Sequence, residues 1–161
     1  MKKSTVKHLA LGGLIAALYA VLTLFSAAFG LAVGPFEFRL SEALCALPLL
    51  TPAAVPGLFV GCLTANVLCA AALPDILFGS LATLLGAMGT RFLRKKPLLA
   101  LLSPVLANTL ILPPILYFVY GFGESGYLIL TVAFLIGEAG SAMGLGYFLY
   151  RCLSPFQKHF K

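Results

Sequence analysis

Long apolar runs separated by brief polar clusters make up almost all of this chain. A helix needs about 20 apolar residues to cross the hydrocarbon core of a bilayer. Residues 9–29, 75–93, 98–120 and 127–153 each read as one such helix. Residues 30–39 read as a loop, opened by Gly30 and turned at Gly34-Pro35. Pro48, Pro52 and Pro56 break the remaining apolar run, 40–73, into a short helix over about 40–50 and a longer one over about 53–73.

Charge decides whether that broken run crosses once or twice. Its length of about 34 residues is too long for one span and tight for two. Lys2, Lys3 and Lys7 precede the first helix; Arg91, Arg94, Lys95 and Lys96 follow the fourth; Arg151, Lys158 and Lys161 end the chain. With two crossings, all three clusters fall on one side, and only Arg39 stands apart. The excess of Lys and Arg in cytoplasmic loops therefore predicts six crossings with both termini cytoplasmic. Pro52 and Pro56 then lie in a cytoplasmic turn. The start, Lys2-Lys3 before an apolar run and Ser26-Ala27-Ala28, has the outline of a signal peptide. The run is span-length and more membrane follows, so it is kept as the first helix.

Composition agrees with this class. Hydrophobic residues are 61% and charged residues 10%, against about 25% charged in soluble domains. Mean hydropathy is +1.04. The expected fold is all-α: a polytopic six-helix membrane bundle forming one domain over 1–161. The net charge of +6 does not point to nucleic acid, because the basic residues flank apolar runs and form no face interleaved with aromatics.

The five acidic residues are the most informative positions. Glu138 lies within the last apolar run, and Glu42 and Asp75 begin two others. A charge in hydrocarbon costs roughly 2.5–3.5 kcal/mol on insertion scales, so it marks a cavity, a partner or a substrate. In the six-crossing topology Glu37, Arg39, Glu42, Asp75 and Glu124 fall near the outer face. Asn66 lies in the outer part of its helix, and Asn108 and Glu138 lie near mid-depth. That distribution outlines a pocket open to the outside. The competing interpretation is helix packing, in which each polar group pairs with a neighbour.

Gly12, Ala16 and Ala20 recur every four residues on the first helix, with Gly13 and Ala17 beside them. Such a stripe admits a second helix at close range, either within this bundle or from another subunit. Gly137, Gly140 and Gly144 form a similar series around Glu138. The four cysteines contain no Cys-x-x-Cys pair and read as small packing residues. His8 and His159 lack metal-ligand spacing, so no metal or other cofactor is expected. No Walker A or hydrolase motif occurs, which leaves an enzyme without support.

Several strings resemble one family: PFEFRLSEAL at 35–44, TPAAVPGLFVGCLTAN at 51–66, DILFGSLATL at 75–84, PVLAN at 104–108, and Gly137-Glu138. On these, in order along nearly the whole chain, the protein is similar to the QueT family. The resemblance implies the substrate-binding (S) component of an energy-coupling-factor (ECF) importer in a prokaryotic plasma membrane. It implies uptake of a queuosine precursor, a 7-deazaguanine such as preQ1, preQ0 or queuine. It implies partners too: a transmembrane coupling subunit, docked on an Ala-x-x-x-Ala motif that Ala16 and Ala20 match, and two ATPase subunits.

The chemistry of that cargo suits these residues. A 7-deazaguanine presents N1–H and N2–H₂ as adjacent donors and O6 as an acceptor, which a carboxylate and an Asn or Arg complement. Glu138 and Glu42 are the expected acceptors, Asn66, Asn108 and Arg39 polar partners, and Asp75 a further candidate. Phe36, Phe38 and Phe78 are candidates to stack on the ring. Arg39 and Glu42, three apart, also suit a structural ion pair. An S component for another vitamin or heterocycle, and a scaffold or membrane enzyme without transport, are the alternatives.

Overall fold

The computed structural model describes residues 3–31, 38–119, 121 and 126–159. Among them every regular element is helical and no strand occurs. Phe36, Glu37, Glu124 and the Gly34-Pro35 turn lie outside the described residues.

Helix α1 (Lys3–Ala28) is two-faced in a way suited to lipid. Leu14, Val21 and Phe25 are exposed on one side, whereas Ile15, Tyr19, Thr23 and Ser26 are buried on the other. The next element, Leu40–Leu49, is a 3-10 helix with Pro48 inside it. Ten residues span about 20 Å at the 3-10 rise of 2.0 Å, against about 15 Å as an α-helix. The tighter winding gives a short segment extra depth. Almost all of it is buried, from Ser41 to Leu49.

Helix α2 (Ala54–Leu68) follows a turn at Thr51-Pro52. Pro56 was expected in that turn but lies in the first turn of α2, where its missing N–H has no intrahelical partner to lose. The helix stops before the expected residue 73. Ala70 takes φ 52°, in the left-handed region, and its N–H closes on the Val67 carbonyl at 3.1 Å. α2 lies very close to α1. A Cβ on Gly57 would sit 2.6 Å from the Gly12 carbonyl oxygen, and one on Gly61 would sit 2.9 Å from that of Ala16. Only glycine permits this backbone approach.

A π segment (Asp75–Gly79) leads into α3 (Ser80–Phe92). Helix α4 (Pro97–Phe118) returns beside it, with Gly86 against the Pro104 backbone. The final run is continuous: α5 (Tyr127–Glu138), a π segment (Ala139–Leu145), then α6 (Gly146–Leu153), with a 3-10 turn at Ser154–His159.

Three helical stretches are long and apolar enough to span a bilayer: Thr5–Ala28, Pro97–Phe118 and Tyr127–Gln157. Leu40–Leu49 and Ala54–Leu68 are apolar but shorter. Large apolar side chains, among them Leu9, Phe92, Leu110, Phe118, Leu128 and Phe148, stand exposed along the outside. Inside are Glu42, Asn66, Asn108 and Glu138. Apolar groups outside and polar groups inside are what a helical bundle needs in lipid.

Candidate functional site

The buried polar residues come from nearly every helical element: Thr23 from α1, Glu42 from Leu40–Leu49, Asn66 from α2, Thr83 from α3, Asn108 from α4 and Glu138 from α5. The first component joins α1 to the Leu40–Leu49 segment. Tyr19 and Thr23, four apart, share one face of α1, and both are fully enclosed. The Tyr19 hydroxyl donates to Glu42 Oε1, and the Cys45 thiol donates to Glu42 Oε2 at 3.2 Å. Glu42 is only 1% exposed, and these two donors replace water on both its oxygens. Beside them Thr23 Oγ1 meets Ser41 Oγ at 2.7 Å, and Ser26 Oγ accepts the Leu40 N–H at 3.0 Å. Leu40–Leu49 is thus tied to α1 by side chains.

The second component runs from Arg39 through α2 to the first π segment. Arg39 Nη1 donates to Asn66 Oδ1 in a long contact of 3.4 Å. Asn66 Nδ2 donates to the Asp75 carbonyl at 3.1 Å. Gly79 makes room for this amide: a Cβ there would lie 3.2 Å from Asn66 Nδ2. Below, Thr83 Oγ1 contacts the Cys62 sulfur at 3.3 Å. Cys62 Sγ also lies 3.7 Å from Asn66 Nδ2, so Thr83 joins this second component.

The third component comes from the last helical run. Glu138, 2% exposed, ends α5 where the π segment begins. The π segment that follows Glu138 packs against Leu40–Leu49, the segment that carries Glu42 and Cys45. The Phe38 ring lies against Gly140, where a Cβ would approach Cε2 to 3.3 Å. Asn108 on α4 is also buried, and its Oδ1 accepts no hydrogen bond among the described residues. Asp75 opens one π segment and Glu138 precedes the other. Single π turns inside α-helices occur frequently at functional sites.

The structure joins Glu42 to Tyr19 and Cys45, joins Arg39 to Asn66 and Asn66 to the Asp75 carbonyl, sets Phe38 against Gly140, and buries Glu138 and Asn108. It leaves Phe78 exposed among the apolar outer residues, and Phe36 falls outside the described residues. Arg39 contacts Asn66, while Glu42 takes its hydrogen bonds from Tyr19 and Cys45. Sequence reasoning missed Tyr19 and treated Cys45 and Cys62 as packing residues. The available signal was the polar series Tyr19, Thr23 and Ser26 on a helix otherwise almost wholly apolar. Cys69 and Cys152 are exposed.

The small-residue stripe is divided between two surroundings. Gly12 and Ala20 are buried and Ala16 half-buried, on the side that meets α2. Gly13 and Ala17 are exposed, and a Cβ on Gly13 would meet nothing within 4 Å. An apolar groove of about 540 Å³ runs beside them, lined by Thr5, His8, Gly13, Ala16, Pro56 and Val60 among others.

An apolar exterior around buried carboxylates and amides is the arrangement of a helical membrane protein. The family comparison carries this further. The model of the family described as QueT transporter matches residues 9–155, and the chain belongs to that family. No curated protein and no solved structure matches the chain.

Proposed function

We propose that this chain is the substrate-binding component of an ECF-type importer and that its cargo is a queuosine precursor of the 7-deazaguanine class. The observation that carries the proposal is the pair of buried carboxylates, Glu42 and Glu138, enclosed with Asn66 and Asn108 inside an apolar shell. Two acids so placed are costly to fold around, and a ligand rich in N–H donors offsets that cost.

In this reading Glu138 accepts the N1–H and N2–H₂ edge of the base as a bidentate pair. Glu42, held by Tyr19 and Cys45, supplies the second negative charge, which the aminomethyl cation of preQ1 complements. Arg39, Asn66 and Asn108 offer donors to O6, Asp75 adds a further charge beside Asn66, and Phe38 stacks on the ring. The chain crosses the plasma membrane of a prokaryote six times with both termini cytoplasmic, as the basic clusters favour. ATP is hydrolysed by two partner subunits, and a coupling subunit docks on α1. Gly13 and Ala17, the outward members of its small-residue stripe, belong to that docking face, with the neighbouring groove receiving a partner helix.

The test is calorimetric titration of the detergent-purified chain with preQ1, preQ0, queuine and guanine, repeated on Glu138→Gln. One 7-deazaguanine should bind tightly, and the variant should lose at least about tenfold, as the loss of a charged hydrogen-bond pair implies. A folded protein that binds none of the four removes the cargo assignment.

A further inference from the structure

We infer that the basic end of the α3–α4 hairpin is a second binding site, for the phosphate of an anionic phospholipid headgroup. A cavity of about 310 Å³ opens there, with Arg91, Arg94, Lys95, Tyr150, Gln157, Leu49 and Leu50 in its wall. Its volume is at the lower end of the roughly 300–1,000 Å³ typical of small-molecule sites.

Three cations share this wall, and no acidic residue among the described ones lines it. The five acidic residues of the chain are Glu37, Glu42, Asp75, Glu124 and Glu138, all in other segments. Arg91 and Arg94 are close enough to repel each other. Arg91 is held by a 3.1 Å hydrogen bond from Nη1 to the Pro48 carbonyl, which fixes its guanidinium at the cavity wall. A guanidinium carries five N–H donors in a planar fork that matches phosphate, and the Gln157 amide and Tyr150 hydroxyl add neutral donors. An anion here relieves the repulsion and fills the donor set.

The surroundings favour a lipid over a soluble phosphate. Phe92, directly after Arg91, is 88% exposed, and Leu98 just past the basic cluster is exposed as well. A headgroup in the cavity would therefore have apolar surface beside it for its acyl chains. Basic pockets between transmembrane helices are known lipid-headgroup sites by this same chemistry.

The experiment titrates the purified full-length chain, in a neutral detergent, with phosphatidylglycerol, phosphatidylcholine or glycerol 3-phosphate, reading the melting temperature. Phosphatidylglycerol should stabilise the protein. The half-maximal concentration should rise at least about tenfold in Arg94→Gln/Lys95→Gln, as two lost cations imply. Phosphatidylcholine should stabilise it far less. Arg91 is left in place because it bonds the Leu40–Leu49 segment; if the double variant does not fold, Arg94→Gln alone should show a smaller shift in the same direction. Equal protection of wild type and variant, or equal protection by phosphatidylcholine, would overturn the site. Equal protection by glycerol 3-phosphate would overturn the lipid as occupant and assign a soluble phosphate. Cargo binding is measured on the same samples and should be unchanged in the variants, so this test stands apart from the cargo assignment.

Discussion

At the residue scale, Glu42 shows how a carboxylate is kept inside this protein. Its two oxygens are met by Tyr19 and Cys45, and no basic side chain contributes to those two bonds. Removing a donor to a buried charged group leaves an unsatisfied acceptor and costs about 1–3 kcal/mol. Tyr19→Phe should therefore lower unfolding stability by that amount, measured by denaturant unfolding in detergent. In a Glu42→Leu background the same substitution should cost far less, since no carboxylate is left to desert. Equal costs in the two backgrounds would mean that Tyr19 does not hold Glu42. The acids were legible in the sequence because acids are scarce among so many apolar residues. Their partners were not, because a Tyr or a Cys in an apolar helix looks like packing until its neighbours are known.

At the element scale, the two small-residue faces of α1 make opposite predictions. Gly61 of α2 has no room for a side chain, because a Cβ would lie 2.8 Å from the Tyr19 Cβ and 2.9 Å from the Ala16 carbonyl oxygen. Gly61→Ala should push the helices apart and lower the melting temperature by several degrees. Gly13→Ala meets open space and exchanges a poor helix former for the best one, which is worth up to about 1 kcal/mol in its favour. Its melting temperature should hold or rise; a fall as large as that of Gly61→Ala would refute the assignment of the two faces. The larger substitution Ala17→Trp, on the exposed face, should abolish uptake in cells while cargo binding by the purified chain persists. Uptake at the wild-type rate would remove Ala17 from the docking face. Gly12 and Ala20 cannot test docking in this way, because both are buried and a Trp at either site would disturb the bundle itself. The four-residue spacing was visible in the sequence. Which members faced inward was not, since that depends on where Gly57 and Gly61 of a different helix come to rest. The 3-10 and π windings were equally hidden, because in nearly uniform apolar runs no polar face exists to report the helical period.

At the scale of the whole molecule, the open question is how the chain threads the bilayer, and two of its own cysteines answer it. The Leu40–Leu49 and Ala54–Leu68 helices are each shorter than a usual span. At 2.0 and 1.5 Å per residue they reach only about 20 and 22 Å, against a hydrocarbon core of about 30 Å. If they nonetheless cross separately, the end of α2 faces outward and the end of α6 inward. If they make one crossing between them, every later helix inverts, and the same two ends exchange sides. Cys69 caps α2 and Cys152 lies near the end of α6; both are exposed, whereas Cys45 and Cys62 are buried. A membrane-impermeant maleimide added to intact cells should therefore label the protein at Cys69. Cys69→Ser should abolish that signal and Cys152→Ser should leave it intact. After permeabilisation Cys152 should become reactive. The reversed pattern, with Cys152 labelled from outside and Cys69 protected, would place the Arg91–Lys96 cluster outside and refute the six-crossing topology.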